Sequence, residues 1–324
     1  MRAVRAESLD SVADYHLVEL PTPEPGPGEV RVKVAACGVG YVDALVSLGR
    51  YQVRPSLPHI PGGEAAGTVD AVGEGVAGLA VGDRVMAQVG GGFADYAVAR
   101  AGAVVKIPDA MAFEAACGFR INYVTALHGL RDRAGLKAGE RLLVSGAAGG
   151  VGAAAVQLGK ILGAQVIACA SSEEKRAFAQ AQGADLVIDT APDGWRDRLK
   201  ALTEGKGVDV YFDPVCGPLF ELAFRSLAWG GRHLVVGFVG GPIPALPANL
   251  TLMKGAALVG VDVRQFMLFE GGKAQAHLTE LLGWVDDGRL QPPVGRRFAF
   301  DDYAAALEFA LSGQGVGKTV LMVG

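Results

Sequence analysis

A glycine cluster at residues 147–152 is the stretch of this chain whose residue types and spacing point most clearly to chemistry. Its sequence, AAGGVG, fits the dinucleotide fingerprint G-x-G-x-x-G with Ala147 in place of the first glycine. Glycines let the backbone approach a pyrophosphate closely, and the first turn of a following helix offers N–H groups to the phosphates. We therefore predict a dinucleotide site with contacts from Ala148, Gly149, Gly150 and Val151.

The segments on either side of this cluster must be a strand and a helix if it is to bind phosphates. Residues 141–145 are apolar and suited to a strand, and from Val151 onward the apolar residues recur at helical spacing. A second apolar run at 165–170 completes a βαβ unit of about thirty residues. A glycine-rich turn without a ligand is the alternative interpretation, but this context favours cofactor binding.

The rest of the chain shows two textures, which predict two kinds of domain. The first hundred residues contain short β-like runs separated by turns, at 29–36, 67–72, 84–89 and 93–98, which is typical of an irregular, mainly antiparallel β-domain. From about residue 113, apolar strands alternate with helices, which predicts an α/β fold with a doubly wound parallel sheet. The predicted strands here are 141–145, 165–170, 186–189, 208–213, 232–238 and 257–261, with helices at 175–183, 193–203 and 219–227. Helices at 273–287 and 301–311 and a strand at 318–323 are expected to fold back onto the first domain.

Composition limits the classes of function. The chain has 324 residues, half of them apolar, with 20% charged residues and a net charge of −4. Lysine and arginine form no basic run, and glycines or charges interrupt the apolar runs before they reach the length of a membrane span. The N-terminus lacks an apolar signal core. We therefore expect a cytoplasmic protein that binds neither nucleic acid nor membranes.

The four cysteines, at positions 37, 117, 169 and 216, lie far apart and show no C-x-x-C spacing. This pattern argues against a disulfide framework and against a structural zinc site. We expect them to be small buried apolar residues.

Nine motifs, in a fixed order along the chain, carry a resemblance to a known family. They are ACGVGYVDAL from residue 36, LGRYQVRPSLPHIPGGEAAGTV from 48, VGDRV from 81, GGFADYAV from 91, VSGAAGGVG from 144, SSEEK from 171, YFDPVCG from 211, GGRHLVVGF from 230 and GVGKTVL from 315. In this order the chain resembles the medium-chain dehydrogenases and reductases, and within them the zinc-free, zeta-crystallin-like quinone oxidoreductases. The resemblance covers almost the whole sequence.

The resemblance implies an architecture and a cofactor. A GroES-like, mainly β catalytic domain is expected at 1–119, a Rossmann NADPH-binding domain at 120–261, and a return to the catalytic domain at 262–324. The family also implies a homodimer that pairs through the Rossmann sheets.

The metal-dependent relatives hold a catalytic zinc ion with Cys, His and Cys, and the ion polarises an alcohol or carbonyl oxygen. In this chain the three corresponding positions are Gly40, Gly63 and Ile121. The short link from Val85 to Gly91 also has no room for a structural zinc lobe. The sequence therefore predicts no metal site.

Without zinc, a hydride must go to an acceptor that is already electrophilic, such as a quinone or an enone. We therefore predict a metal-free NADPH:quinone oxidoreductase. Two alternatives remain, namely a reductase for the double bond of a 2-alkenal or an enoyl thioester, and an NADPH-binding structural or sensory protein with little turnover.

Candidate residues around the reacting ring follow from the resemblance. Tyr51 matches an active-site tyrosine whose hydroxyl could bond the substrate oxygen or transfer a proton, although a tyrosine of the core is equally compatible with the sequence. Tyr41 occupies an aromatic position of the same site. Many relatives carry Asn where this chain has Gly40, so Asn122 or Thr125 is expected to serve the nicotinamide side instead. The alternative for Thr125 is a helix-terminal hydroxyl without such a role.

Further candidates concern charge and cofactor choice. The second Rossmann strand is followed by Ser171 and Ser172 in place of the acid that binds a ribose hydroxyl in NAD enzymes, and Lys175 comes shortly after. Small hydroxyls and a cation fit a 2′-phosphate, which favours NADPH. Three more expectations come from the family pattern: Lys318 near the phosphates unless it is a surface lysine, Phe238 and Val239 at the carboxamide through their backbone, and Asp43 as an architectural acceptor. Arg120 could attract an anion, although a surface role is commoner for such an arginine.

Overall fold

The computed structural model describes residues 1–324 and contains two compact units. Unit 1 comprises Met1–Arg120 and Val285–Gly324, and unit 2 comprises Ile121–Trp284. The first boundary agrees with the one predicted at residue 120. The second lies later than predicted, because residues 262–284 pack on unit 2: the Phe266 ring stacks on His128 with centroids 3.8 Å apart, and the Lys273 ammonium lies 3.0 Å from the Asp132 carboxylate.

The strands and helices are numbered here in chain order. The strands are β1 Arg2–Ala6, β2 Tyr15–Glu19, β3 Glu29–Val39, β4 Glu64–Val72, β5 Arg84–Gln88, β6 Tyr96–Arg100, β7 Val104–Lys106, β8 Arg141–Ser145, β9 Gln165–Cys169, β10 Leu186–Ile188, β11 Val208–Asp213, β12 Leu227–Val235, β13 Ala257–Gly260, β14 Val294–Ala299 and β15 Lys318–Met322. The helices are α1 Tyr41–Ser47, α2 Phe113–Ala116, α3 Phe119–Leu127, α4 Gly150–Ile161, α5 Glu173–Ala181, α6 Trp195–Leu202, α7 Phe220–Arg225, α8 Asn249–Lys254, α9 Val263–Phe269, α10 Gly271–Asp286 and α11 Tyr303–Ser312.

Unit 1 is built on a mainly antiparallel sheet. Its strand order is β14-β15-β3-β4-β5-β7, with β6 also pairing with β3, and β1 and β2 form a separate hairpin. The long strand β3 alternates buried valines with more exposed residues, so one face of the sheet is packed while the other is more accessible. The predicted β-domain is confirmed.

Unit 2 contains a six-stranded sheet in the order β10-β9-β8-β11-β12-β13, with every neighbouring pair parallel. The chain starts at β8 in the middle, winds outward to β10, and returns to β11 to wind the other way. This is the predicted doubly wound sheet, and its switch point between β8 and β11 is where such folds bind ligands. Helix α4 packs closely on the sheet because Gly159 has no side chain; a Cβ there would lie 2.6 Å from Leu142 Cδ2.

Several elements of unit 1 were not predicted from the sequence, namely the β1–β2 hairpin, α1, β7, α2 and β14. The start of α1 is marked by Gly40 at the N-cap and by the Asp43 carboxylate, which accepts a 2.7 Å hydrogen bond from the Gly40 N–H. The G-x-x-D spacing resembles a capping box and could have indicated this helix.

None of the helices has both the length and the apolar character that a membrane crossing would need.

Candidate functional site

The glycine cluster forms the turn from β8 into α4, as predicted. The residue that makes this turn is Gly146, with φ of +55°, a conformation that side chains rarely adopt. The glycine that makes the turn thus stands one position before Ala147, which occupies the place of the first glycine in the fingerprint. Ala147 and Ala148 are both buried. Gly149 is the N-cap of α4. The backbone N–H groups of the first turn of α4 therefore have no hydrogen-bond acceptor within the helix. Such N–H groups can bind an anion, and the phosphate contacts of this turn stay a prediction.

Two glycines of the turn have neighbours that exclude a side chain. A Cβ at Gly152 would overlap the carbonyl oxygen of Gly146, and a Cβ at Gly150 would lie 2.6 Å from the Asn122 side-chain nitrogen. Asn122 therefore lies directly on the start of α4. Sequence reasoning expected it on the nicotinamide side, and the structure places it beside the phosphate-binding turn.

Thr125 is buried on α3, and its hydroxyl donates a 2.5 Å hydrogen bond to the carbonyl oxygen of Ile121. The bond lies within α3, close to its C-terminal end, which is compatible with the alternative of a helix-terminal hydroxyl. Because its proton is already used, Thr125 can offer a ligand only an oxygen lone pair. A carboxamide N–H group is a partner of that kind, whereas a proton transfer from Thr125 is not supported by this geometry.

The end of β9 carries the residues predicted to select the cofactor. Ser171 is exposed, and Ser172 caps α5 by accepting a hydrogen bond of 3.2 Å from the Lys175 N–H. Lys175 is therefore on the first turn of α5, close to both serines. Arg176 follows Lys175, and its guanidinium donates a hydrogen bond of 3.1 Å to the carbonyl oxygen of Ala170.

Arg176 was missed by sequence reasoning, although it stands next to Lys175 in the motif SSEEKR. Its hydrogen bond to Ala170 turns the side chain back to the end of β9, where the serines lie. The Arg176 guanidinium thus lies at the strand end, where the two serines and the backbone of Lys175 also lie. This set matches a phosphate better than it matches a neutral ribose hydroxyl.

Replacing Lys175 with Ala should weaken NADPH binding about 10-fold, because one charge-assisted hydrogen bond is worth about 1.5 kcal/mol. Binding of NADH, which lacks the 2′-phosphate, should change little. Titration of the cofactor fluorescence measures both dissociation constants, and Lys200→Ala, which removes an exposed lysine from α6, is the matched control. An original preference for NADH would contradict the assignment of this strand end.

A buried polar network lies at the switch point of the sheet. The Asp213 carboxylate at the end of β11 accepts hydrogen bonds from the Ser145 hydroxyl (2.5 Å), from the Cys216 N–H (2.9 Å) and from the Val215 N–H (3.1 Å), and its second oxygen lies 3.0 Å from His233 Nε2. Asp213 and His233 are completely buried. The network therefore fixes the carboxyl ends of β8 and β11 relative to β12.

The three side chains of Asp213, Cys216 and His233 have their potential ligand atoms within 4.8 Å of one another. Both oxygens of the Asp213 carboxylate already have partners: one accepts three hydrogen bonds and the other lies 3.0 Å from His233 Nε2. We interpret the cluster as the structural network described above.

The loop after β12 carries Phe238 and Val239, which are 40% and 46% exposed. Their exposure at the carboxyl edge of the sheet is compatible with the predicted backbone contacts to a carboxamide. Those contacts stay a prediction.

In unit 1, two of the three positions that replace the metal ligands, Gly40 and Gly63, meet around one carboxylate. The Asp43 side chain accepts hydrogen bonds from the Gly40 N–H (2.7 Å) and, at 3.4 Å, from the Gly63 N–H. The expectation that Asp43 is an architectural acceptor agrees with these bonds. Tyr41 is the first residue of α1, next to Gly40, and is partly buried.

Tyr51 lies in an irregular segment after α1 and is 36% exposed. It is therefore not a residue of the core, which was the alternative to an active-site role. Its hydroxyl is accessible to a ligand, and its catalytic role stays a prediction.

Lys318 is not a surface lysine. Its side chain is only 14% exposed, and its ammonium lies 3.9 Å from the Asp43 carboxylate in unit 1. The predicted contact with cofactor phosphates stays a prediction, but the structure shows a partner that sequence reasoning did not pair with it.

Arg120 also points inward. One guanidinium nitrogen donates a hydrogen bond of 3.1 Å to the carbonyl oxygen of Ala103. Burial lowers the pKa of Arg120, although the nearby carboxylate of Glu64 acts in the opposite direction.

The four cysteines are free and buried, as predicted. Burial raises the pKa of the Cys169 thiol to about 12. The thiol therefore stays protonated at neutral pH and does not act as a nucleophile.

Two family models match the chain. The model described as "Alcohol dehydrogenase GroES-like domain" matches residues 26–109, and the one described as "Zinc-binding dehydrogenase" matches residues 150–277. Among curated proteins, a quinone oxidoreductase-like protein 2 homolog from Nematostella vectensis is 36% identical over 300 residues, which is 91% of this chain and 82% of that protein. The human quinone oxidoreductase is 32% identical over 329 residues, covering 100% of this chain and 98% of its own length.

Solved structures give the same picture. A mycobacterial protein complexed with NADPH superposes with a TM-score of 0.91 at 30% identity, and all of both chains is covered. The quinone oxidoreductase of Thermus thermophilus, solved alone and with NADPH, has a TM-score of 0.86 at 33% identity, again over the full length of both chains. The CurK enoyl reductase has a TM-score of 0.89 at 25% identity, covering 99% of this chain and 98% of that one.

Proposed function

Because the chain belongs to the quinone oxidoreductase, zeta-crystallin-like branch of the medium-chain dehydrogenases and reductases, we propose that it is a metal-independent, NADPH-dependent reductase of quinones or similar activated carbonyl acceptors. It is an oxidoreductase with the Rossmann and GroES-like domains of that superfamily.

The observation that carries the proposal is the chemistry of the three positions where metal-dependent relatives hold zinc. Gly40 and Gly63 offer only backbone, Ile121 offers an alkyl side chain, and the Asp43 carboxylate is already hydrogen-bonded to the N–H groups of both glycines. Zinc needs three protein ligands from Cys, His or carboxylate in a catalytic site. A family model whose description mentions zinc therefore matches a chain without this ligand set.

The residues of unit 2 fit NADPH. At Gly150 and Gly152 neighbouring atoms exclude any side chain, so the turn presents bare backbone at the start of α4. The Arg176 guanidinium is held at the end of β9 and Lys175 lies on the first turn of α5, next to the strand end where a 2′-phosphate binds in this fold. Two relatives of known structure are complexes with NADPH.

When bound, NADPH supplies a hydride from its nicotinamide ring. In our proposal the amides at the start of α4 hold the pyrophosphate, Phe238 and Val239 orient the carboxamide through their backbone, and Thr125 accepts a hydrogen bond from it. The Tyr51 hydroxyl donates a hydrogen bond to the acceptor oxygen, and Tyr41 lines the acceptor site. Orientation and this hydrogen bond replace the polarising metal.

The proposal is tested with protein dialysed exhaustively against EDTA and 1,10-phenanthroline. We expect it to oxidise NADPH with 1,4-naphthoquinone at the rate of the untreated enzyme, followed by absorbance at the nicotinamide band. Activity that disappears on chelation and returns with added zinc would refute metal independence.

Reduction of a carbon–carbon double bond is a second candidate, favoured by the similarity to an enoyl reductase over almost the full chain. A panel of 1,4-naphthoquinone, trans-2-hexenal and crotonyl-CoA separates the two classes. A higher kcat/KM for hexenal or crotonyl-CoA than for the quinone would favour this candidate. Tight NADPH binding with no turnover on any of the three would favour a structural or sensory role.

We also propose that two copies pair through unit 2. Strand β13 is at the edge of the parallel sheet, with unpaired backbone groups along its outer side. Around it, Trp229, Leu252 and Met253 are 83%, 82% and 68% exposed, and Leu258 of β13 itself is 43% exposed. The same edge of a second copy would pair with the backbone groups of β13 and would also cover the apolar side chains beside it.

Leu258→Lys should convert the dimer to a monomer, since the charge would be buried beside its own copy across a two-fold axis. Light scattering after gel filtration should give twice the 33.4 kDa chain mass for the wild type and a single chain mass for the variant. Val81→Lys, which changes a 67% exposed residue of unit 1, is the control and should leave the mass unchanged. A monomeric wild type would contradict the proposal.

A further inference from the structure

We propose that the Lys318 ammonium is the resident cation of the active site, which takes the place of the zinc ion of metal-dependent relatives and donates a hydrogen bond, then a proton, to the oxygen of the acceptor. The proposal rests on the reductase function given above. It is carried by contacts within unit 1 alone.

Three glycines make a channel for the Lys318 side chain. A Cβ at Gly118 would overlap Lys318 Cγ, one at Gly38 would lie 2.7 Å from its Cε, and one at Gly40 would lie 3.1 Å from its Nζ. The stem of the lysine thus runs past Gly118 and Gly38, and its charged end reaches Gly40. Any larger residue at these positions would displace the side chain.

The end of this channel lies about as far from residue 40 as a metal ion would. A cysteine ligand holds zinc about 2.3 Å from its sulfur, which puts the ion about 3.3 Å from the cysteine Cβ. Gly40 stands where metal-dependent relatives have that cysteine, and Lys318 Nζ lies 3.1 Å from the position of a Cβ there. The ammonium and the metal ion would therefore occupy the same neighbourhood.

The Lys318 ammonium is attracted by a nearby carboxylate but does not use its N–H groups in a hydrogen bond to it. Its nearest carboxylate oxygen is that of Asp43, at 3.9 Å, which is too long for a hydrogen bond. Asp43 is itself fixed by the N–H groups of Gly40 and Gly63. The three N–H groups of Lys318 therefore remain able to donate to a ligand oxygen, in a side chain that still has 14% of its surface accessible.

The charge of Lys318 is stable at neutral pH. Burial disfavours it, but the carboxylates of Asp43 and Glu64 outweigh burial and raise the pKa of Lys318 above its ordinary value. The ammonium is therefore charged before the acceptor binds, and its N–H groups can stabilise the negative charge that develops on the acceptor oxygen.

The step balances as a two-electron reduction. The acceptor gains a hydride at carbon or oxygen, its oxygen develops negative charge, and the Lys318 N–H proton moves to that oxygen as the N–H bond breaks. The neutral amine then takes a proton from water. The acceptor has gained one hydride and one proton, and NADPH has become NADP⁺.

The proposal also explains why Gly40 replaces the Asn that many relatives carry. A side chain at this position would press on Lys318 Nζ at 3.1 Å and on the Asp43 carboxylate at the same distance. The hydrogen bond that an Asn would supply to the acceptor is thus replaced by one from the lysine.

The main test is Lys318→Met, which keeps most of the length of the stem and removes the charge. We expect kcat with 1,4-naphthoquinone to fall about 100-fold, the effect of losing one donor to a developing oxyanion, while the dissociation constant of NADPH changes less than about 2-fold. Lys106→Met is the matched control, because it removes a 55% exposed lysine that pairs with Asp83 in the same unit, and its kcat should not change. A weakened NADPH affinity with unchanged kcat would overturn the proposal and assign Lys318 to the phosphates.

A second variant tests placement without removing the charge. Gly40→Ala adds a single methyl group 3.1 Å from Nζ at a backbone conformation that alanine adopts readily, with φ of −109°. We expect a smaller fall in kcat, about 10-fold, with an unchanged thermal midpoint. Wild-type rates in both variants would overturn the inference but leave the reductase function standing, whereas a wild-type enzyme inactive with all three acceptors would remove the function itself.

Discussion

Gly152→Ala should abolish tight NADPH binding and destabilise the protein. The added Cβ would overlap the carbonyl oxygen of Gly146 and lie 2.8 Å and 2.9 Å from the Gly146 carbonyl carbon and the Ala147 Cα. All three are backbone atoms, so the turn itself must open. Overpacking of this kind costs about 3 kcal/mol, and losing two hydrogen bonds to the pyrophosphate would weaken NADPH about 100-fold.

The control for this variant is another helical glycine of unit 2. Gly283 lies in α10, and a Cβ there would meet nothing within 4 Å. Gly283→Ala should therefore stabilise the protein by about 0.5–1 kcal/mol, because alanine loses less backbone entropy on folding. Thermal unfolding and NADPH titration of both variants give the comparison. Equal effects from the two substitutions would show that the close approach at Gly152 is unimportant.

Asp213→Ala should be the most destabilising single change outside the glycine turn. The substitution removes the acceptor of four hydrogen bonds, from Ser145, Val215, Cys216 and His233, in a place without solvent. Truncating one member of such a buried charged network costs about 3–5 kcal/mol. Urea unfolding should show the loss, and Asp193→Asn, which changes an exposed side chain, should show almost none.

The same variant tests a dependence on pH. Burial raises the pKa of Asp213, but the hydrogen bonds from His233, Ser145 and Cys216 outweigh it and hold this pKa below its ordinary value. A lowered pKa in the folded state means that the ionised group stabilises the fold fully above the unfolded pKa of about 3.9 and less as the pH falls further. The difference in unfolding free energy between wild type and Asp213→Ala should therefore be constant above about pH 5 and shrink below about pH 4. A difference that grows on acidification would contradict the assignment.

Local patterns predicted the elements of unit 2 well. Helix α5 was expected at 175–183 and lies at Glu173–Ala181, and β11 has the predicted bounds. The predictions were poorer in unit 1, where α1 starts at a glycine and the β1–β2 hairpin has no strong turn motif. Short elements carry few periodic residues, so a pattern of apolar spacing has little to detect in them.

The unit on which α9 and α10 pack could not be read from their sequences. The apolar spacing of a helix does not say which core the helix covers. The stacking of Phe266 on His128 and the ion pair from Lys273 to Asp132 decide this, and both involve residues far apart in the chain.

The sequence by itself determined the dinucleotide turn, the doubly wound sheet, the family and the loss of the metal ligands. These depend on neighbouring residues, since apolar period, glycine spacing and the identity of a residue at a motif position can all be read along the chain. The tertiary structure alone decided the contacts between distant segments: the Asp213 carboxylate meets His233, and the Lys318 side chain passes three glycines to reach Asp43 and Gly40. Such contacts arise chiefly from the pairing of strands that are remote in sequence, so no local pattern encodes them.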